Sequence, residues 1–245
     1  MNQKVALITG ASKGIGAAIA RKFASLNYNL VLNYLTSEKE AHLLKEELEK
    51  KYKIQILVLQ ADVSKETEVE QMIEKTIAHF SKIDCLINNA VLNKDNSYQE
   101  KKSEEFNQVI NTNLIGPFLT MKYTSISMIK QKSGVIINIS STNAIDTNEI
   151  YSMDYDASKA GLISLTNNFA DALAPFVRVI AIAPGWTKTE SVSEMNPKYL
   201  KDEEQKILLK RMAQPEEIAN VVAFLASAEA SYINKTVIRV DGGLK

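Results

Sequence analysis

Seven short apolar runs punctuate the chain: Val5–Thr9, Leu30–Asn33, Ile54–Leu59, Cys85–Asn88, Val135–Ile139, Val177–Ala183 and Val237–Val240. Most are continuously apolar rather than alternating, the pattern of strands buried on both faces. Between them lie longer stretches with helical periodicity: Ile15–Leu26, Ser37–Lys51, Glu66–Phe80, Glu104–Lys132 with a break near Pro117, Ser158–Ala174 and Pro215–Ala226. Strand–helix–strand repetition predicts an α/β protein: one doubly wound, Rossmann-type domain over residues 1–245. Its seven-stranded parallel sheet has right-handed crossovers and helices on both faces. Such a sheet binds ligands beyond the carboxyl ends of its strands, where the strand order reverses.

Composition adds a few exclusions. Lys+Arg and Asp+Glu are both 29, so the chain has no basic excess of the kind nucleic-acid binding requires. One cysteine, Cys85, excludes an intrachain disulfide and fits a reducing, cytoplasmic compartment. The apolar run after Met1-Asn2-Gln3-Lys4 ends at Gly10, too short for a signal-peptide core or a membrane span. His42 and His79 each stand alone in a helical pattern, so no metal site is expected, and both read as solvated. Cys85 reads as a small buried hydrophobe.

The chemistry begins after the first strand. Gly10, Gly14 and Gly16 stand between that strand and the first helix. Gly10 suits a tight turn, Gly14 a close backbone approach to a pyrophosphate, and Gly16 close helix–sheet packing. The helix N-terminus then offers N–H groups and a positive dipole end to phosphates. Further along, Tyr155 and Lys159 are four residues apart, on one face of a helix. An ammonium beside a phenol lowers its pKa and makes it a usable proton donor or acceptor at neutral pH. Taken alone, the pair also reads as an ordinary surface contact.

The ordered set of motifs resembles the short-chain dehydrogenase/reductase family over nearly the whole chain. It comprises Thr9-Gly10-Ala11-Ser12-Lys13-Gly14-Ile15-Gly16, Asn88-Asn89-Ala90, Asn113-Leu114-Ile115-Gly116, Ser141, Tyr155 with Lys159, Pro184-Gly185 and Asp241-Gly242-Gly243. The resemblance implies catalysis by Asn113, Ser141, Tyr155 and Lys159. Ser141 would hold the substrate oxygen, Asn113 a water of the proton relay, and Lys159 the nicotinamide ribose as well. Ser140 competes with Ser141, and the spacing to Tyr155 favours Ser141. The implied cofactor contacts are Gly10, Ser12, Lys13, Gly14, Ile15, Gly16, Asp62, Val63, Asn89, Ala90, Tyr155, Lys159, Pro184, Gly185, Thr187 and Thr189. Asp62 has a second reading as a helix cap, for which Ser64 is better placed.

No acidic residue follows the second strand before Glu38, and Lys13 sits in the glycine turn, so NADP(H) is favoured over NAD(H). Val91 stands where the family pattern has glycine, and a β-branched residue does not easily take glycine's φ values. Ile180 and Asn234-Lys235 are further departures. The polar stretch 187–210 reads as a substrate lid, and Ile150, Met153, Trp186 and Met195 as an apolar pocket, each with plain packing as the alternative.

Asn93–Asn96 and Pro215–Ala219 bring 3-oxoacyl-[acyl-carrier-protein] reductases closest. This implies reduction of a carbonyl or an acyl thioester, with acyl-carrier protein as a partner. The alternatives are a reductase or dehydrogenase of a small sugar, polyol or other alcohol, and a catalytically silent dinucleotide sensor. The helices Glu104–Lys132 and Ser158–Ala174 carry apolar residues on more than one face, which predicts a second partner for each. The resemblance makes that a homo-oligomer, specifically a tetramer.

Overall fold

The computed structural model describes residues 3–244; Met1, Asn2 and Lys245, which the single-domain reading includes, lie outside them. The seven strands are β1 (Val5–Ile8), β2 (Asn29–Tyr34), β3 (Ile56–Gln60), β4 (Cys85–Asn88), β5 (Gly134–Ile139), β6 (Val177–Pro184) and β7 (Val237–Val240). They form one parallel sheet in the order β3-β2-β1-β4-β5-β6-β7. Residues of β1 and β4 are wholly buried, whereas the edge strands β3 and β7 are partly exposed. The continuous apolar runs are therefore the central strands, which have helices on both sides.

Helices α1 (Gly14–Ser25), α2 (Glu38–Lys51) and α9 (Pro215–Ala226) cover one face. There Ile19 and Phe23 pack with Ile218, Val222 and the strand residues Ile8, Ile87 and Ile137. Helices α3 (Glu66–Phe80), α5 (Gly116–Gln131) and α6 (Met153–Leu173) cover the other. Val69, Met72, Met121, Ala170 and Leu173 meet Leu7, Leu86 and Ile136 there.

Two helix boundaries differ from expectation. The stretch 104–132 divides into α4 (Ser103–Ile110), a π turn (Asn111–Ile115) and α5, so the break precedes Pro117. Pro117 follows the π turn within one continuous helical run, so its missing N–H removes one helical hydrogen bond, and the run is irregular there. Helix α6 starts five residues earlier than its periodicity suggests, because its first turn is polar and carries Asp154 and Asp156 at the positive end of the helix. The polar stretch after β6 holds two helices that periodicity missed, α7 (Glu190–Ser193) and α8 (Pro197–Lys206).

A polar ladder crosses the β4/β5 register inside the core. Asn88 Nδ2 donates to Asn138 Oδ1 (2.8 Å), and Thr120 Oγ1 of α5 donates to Asn88 Oδ1 (2.6 Å). Asn138 Nδ2 in turn donates to Thr166 Oγ1 of α6 (2.9 Å). All four side chains are buried, and the chain of bonds fixes α5 and α6 against the sheet. Replacing Asn138→Ala strands the Asn88 amide, and urea denaturation is expected to show a loss of about 2 kcal/mol. Unchanged stability would mean that the ladder contributes nothing net.

Candidate active site

The strand order reverses between β1 and β4, and the glycine turn lies at that point. Gly10 has φ +60°, the left-handed region, and a Cβ there would come 2.9 Å from Ala90 Cα. A Cβ on Gly16 would collide with Gly10 O, so only glycine lets α1 start this close to the turn. Thr9 Oγ1 accepts hydrogen bonds from Asn89 N (2.9 Å) and Ala90 N (3.0 Å). Asn89 Nδ2 donates to Thr9 O (3.0 Å) and Gly10 O (2.9 Å). Asn89 is thus the clamp that joins the two strand ends, with its backbone N–H and its amide nitrogen spent on the turn. The N-cap of α1, Lys13, makes no side-chain capping bond, which leaves the first-turn N–H groups of α1 without a side-chain acceptor. Ser12 is half-buried in the turn, and Ile15 packs onto the core beneath it. This cradle fits the phosphates of a dinucleotide, with the Gly10–Gly16 backbone as the surface that would hold them.

The residues expected around the rest of that cofactor converge on the same end of the sheet. Asp62 Oδ1 accepts from Ser64 N (2.9 Å), so Asp62 shapes its own turn. Helix α3 is preceded by Lys65 without a side-chain cap, and Ser64 therefore does not cap it. Val63 is buried against α5, where a Cβ on Gly116 would come 2.9 Å from its methyl. Gly185 N donates to Val240 O (3.1 Å), which ties the Pro184-Gly185 turn to β7. Thr187 pairs with Ala213 through Trp186 O and Lys188 N, an arrangement that turns the Thr187 N–H the other way. Thr189 Oγ1 caps α7, and its methyl lies over Gly14. Lys13 is ion-paired with Glu40 at the start of α2 (3.0 Å). The absence of an acid directly after β2 does not leave Lys13 unengaged. Val91 is half exposed and stands outside the residues with positive φ, so valine is accommodated here without backbone strain.

Asn113, Ser141, Tyr155 and Lys159 come together from three elements. Lys159 is 3% exposed, and its Nζ donates to Ile139 O at the end of β5 (2.7 Å). Burial pulls its pKa down to about 8. Its Nζ lies 5.5 Å from the centre of the Tyr155 ring. Ser140 Oγ donates to Lys159 O (3.0 Å) and faces the interior. Ser141 Oγ accepts from Asn143 N (3.2 Å) and adjoins the Tyr155 phenol. Asn113, in the π turn, has no exposed surface. Its amide clamps the Leu92 backbone in both directions (2.8 Å each) and donates to Ser158 Oγ (3.2 Å). The side chain is committed, and the backbone carbonyl stands four residues before Pro117, which has no N–H to give it the regular helical bond.

The expected direction of the tyrosine's shift is corrected. Burial raises the Tyr155 pKa above its ordinary value, Asp156 adds to the rise, and the Ser141 hydroxyl opposes it. Desolvation of the phenolate dominates, and the Lys159 ammonium is directed at Ile139 O rather than at the phenol oxygen. The expected apolar pocket also divides. Ile150 and Met153 line a cavity of about 380 Å³ with Tyr98, Lys101 and Phe106. Trp186 instead donates its indole N–H to Glu203 of α8 (3.1 Å) and packs edge-on against Tyr199, with ring centres 5.9 Å apart. No sequence signal singled out Glu203 or Tyr199, because both fall in a polar run without period.

A family profile described as "Enoyl-(Acyl carrier protein) reductase" matches residues 10–245. The chain is 40% identical over 242 residues to the 3-oxoacyl-[acyl-carrier-protein] reductase of Staphylococcus epidermidis, covering 98% of both chains. It is 39% identical over 246 residues to the 3-oxoacyl-[acyl-carrier-protein] reductase of Synechocystis sp., covering all of this chain and 98% of that one. It is also 38% identical to an uncharacterized oxidoreductase of Thermotoga maritima, covering 98% and 95% respectively.

The buried lysine has a measurable signature. Its folded pKa, about 8, lies below the ordinary value of 10.5. Between those values the unfolded chain binds more protons than the folded one, so stability rises with pH across that window and the full penalty applies below it. From pH 8 to 10 this contributes a gain of about 2 kcal/mol. Urea titrations at pH 7 to 10 are expected to show that gain in the wild type and its absence in Lys159→Met. Parallel pH profiles for the two proteins would mean that Lys159 is not buried as a strained base.

Proposed function

Since the chain belongs to the short-chain dehydrogenase/reductase family and is an NAD(P)-dependent oxidoreductase acting on carbonyl and alcohol groups, we propose that it reduces a 3-oxoacyl thioester with NADPH. The observation that carries this reading is the cluster of Ser141, Tyr155 and Lys159 beside the Gly10–Gly16 cradle. When bound, the dinucleotide supplies the hydride. The Ser141 hydroxyl and the Tyr155 phenol hold the substrate oxygen. The buried phenol is protonated at neutral pH, which suits it to donate a proton to the alkoxide that reduction generates. Lys159 stabilises the resulting phenolate, and a water at the Asn113 backbone carbonyl resupplies the proton. Asp62, Val63, Asn89, Ala90, Pro184, Gly185, Thr187 and Thr189 line the cofactor cleft, with the Thr187 N–H available to a carboxamide.

The thioester substrate follows from two relatives whose names specify 3-oxoacyl-[acyl-carrier-protein] reduction. An acidic carrier protein needs a basic surface near the cleft; Lys130 and Lys132 at the end of α5 lead into the start of β5, at the opposite end of the sheet, and do not supply it within one subunit. The segment 187–210 acts as the substrate lid, held by the Trp186–Glu203 hydrogen bond. Half-exposed Ile115, Phe118, Ile126 and Ile129 form an apolar face that association into a homotetramer covers. The assembly works in the cytoplasm.

The test is titration with NADPH and NADH, followed by absorbance decay on adding acetoacetyl-CoA. Preferential NADPH binding and oxidation are expected, and Tyr155→Phe should abolish the decay while still binding NADPH. NADPH binding without decay for the wild type would reject the thioester and move the search to free small carbonyls. Turnover at the wild-type rate in Tyr155→Phe would reject the mechanism. A second substitution probes cofactor choice. Glu40 competes with a 2′-phosphate for Lys13, so Glu40→Gln is expected to tighten NADPH by up to about fivefold, the scale of an exposed ion pair, and to leave NADH unchanged. Equal effects on both dinucleotides would place the phosphate away from Lys13.

A further inference from the structure

Tyr155 is held from both sides by the segment that follows β4. On one side, Leu92 is clamped by Asn113, whose amide reaches Ser158, three residues after the tyrosine. On the other, Lys101 Nζ donates to both oxygens of Asp154, the residue before the tyrosine (3.0 and 2.9 Å). Asp154 has no exposed side-chain surface and Lys101 only 9%. The third donor of the same ammonium goes to Lys94 O, so every N–H of this buried charge has an acceptor. Asp154 Oδ1 also accepts from the Tyr155 backbone N–H (3.0 Å). Two lighter links run beside the pair: Asn96 N to Tyr151 O (2.9 Å), and Ser152 Oγ to Asp95 Oδ1.

A buried, fully satisfied ion pair contributes little net stability compared with an apolar pair of the same size, because desolvation offsets the attraction. What it supplies is directional geometry. Here the geometry is applied to the first turn of α6, which contains the tyrosine. An apolar Met–Leu contact in this place would bury the same surface without fixing the carboxylate that receives the Tyr155 N–H.

We propose that Lys101 and Asp154 are positioning residues for Tyr155, a buried ionic staple that fixes the tyrosine's helical turn to the segment walling the cleft. The proposal rests on the reading of Tyr155 as the proton donor. Lys101 and Asp154 touch no reacting atom; they act through the tyrosine's backbone. The stem of Lys101 also lines the cavity shared with Ile150 and Met153, so the staple joins the cleft wall to the tyrosine.

The test separates positioning from stability. Lys101→Met alone leaves a buried carboxylate without its partner and is expected to lower the melting temperature. The double variant Lys101→Met with Asp154→Asn removes both charges and should recover most of that loss. Its kcat is nevertheless expected to stay about tenfold down, with KM and NADPH binding unchanged. In parallel, protein labelled with 3-fluorotyrosine is observed by fluorine NMR, with the Tyr155 resonance assigned by its absence in Tyr155→Phe. That resonance should move in the double variant, while those of Tyr28 and Tyr123 stay. If the double variant does not fold, Asp154→Asn alone is read in the same way. An unmoved Tyr155 resonance, or a kcat that recovers together with the melting temperature, overturns the proposal. A wild type that turns over no carbonyl defeats the proposed function, while the fluorine signal still decides the positioning role.

Discussion

The clamp between Thr9 and Asn89 is the contact on which the rest of the site depends. In a parallel sheet each strand sends its connection to one face or the other, and a crevice opens where neighbouring connections diverge. Here that happens at β1 and β4, whose ends would otherwise be free to splay. The Thr9 hydroxyl accepts both N–H groups that follow β4, and the Asn89 amide returns two bonds to the carbonyls of the glycine turn. The crevice thus has a rigid floor. Gly16 then brings α1 against that floor, at a distance no side chain would tolerate.

Along the crevice, burial sets the chemistry more than charge pairing does. Lys159 is held beneath the tyrosine ring by a carbonyl of β5, so the sheet itself fixes the ammonium. Desolvation lowers the lysine and raises the phenol, moving both towards their neutral forms. A neutral phenol in a dry site can give up its proton once negative charge develops on a neighbouring oxygen, and the same low dielectric strengthens that response. The stability cost of keeping a lysine there is the kind of strain that functional sites retain.

The sequence made the frame legible because each part leaves a local trace. Strands buried on both faces must be near-continuous apolar runs, and most of the seven are readable as such. The turn glycines and the Tyr155/Lys159 spacing are short-range constraints, visible without knowing what packs where. The Lys13–Glu40 pair was not readable, since it joins residues 27 positions apart whose proximity depends on how α2 sits beside the glycine turn. The direction of the Tyr155 shift was misread for a related reason. Spacing shows that a lysine is near, but not that its ammonium is aimed at a carbonyl instead. The early start of α6 was hidden because Asp154 is polar yet fully buried, and only its partner Lys101 explains that.

Substrate choice lies where such traces are weakest. The segments 92–102 and 187–210 are polar and without period, so their structure comes from particular long-range bonds. Around Tyr199 of α8, burial pushes the phenol's pKa up to about 12, and Glu203, Glu149 and Asp95 add to the rise. The cavity wall formed by 92–102 carries Lys94, Asp95, Lys101 and Lys102, but the charge of Lys101 is consumed internally by Asp154. Counting lysines along the chain would therefore overstate the positive charge that wall offers to an incoming anion. A frame shared by many oxidoreductases can accept different substrates because these two walls are set by pairings that leave the floor of the crevice untouched.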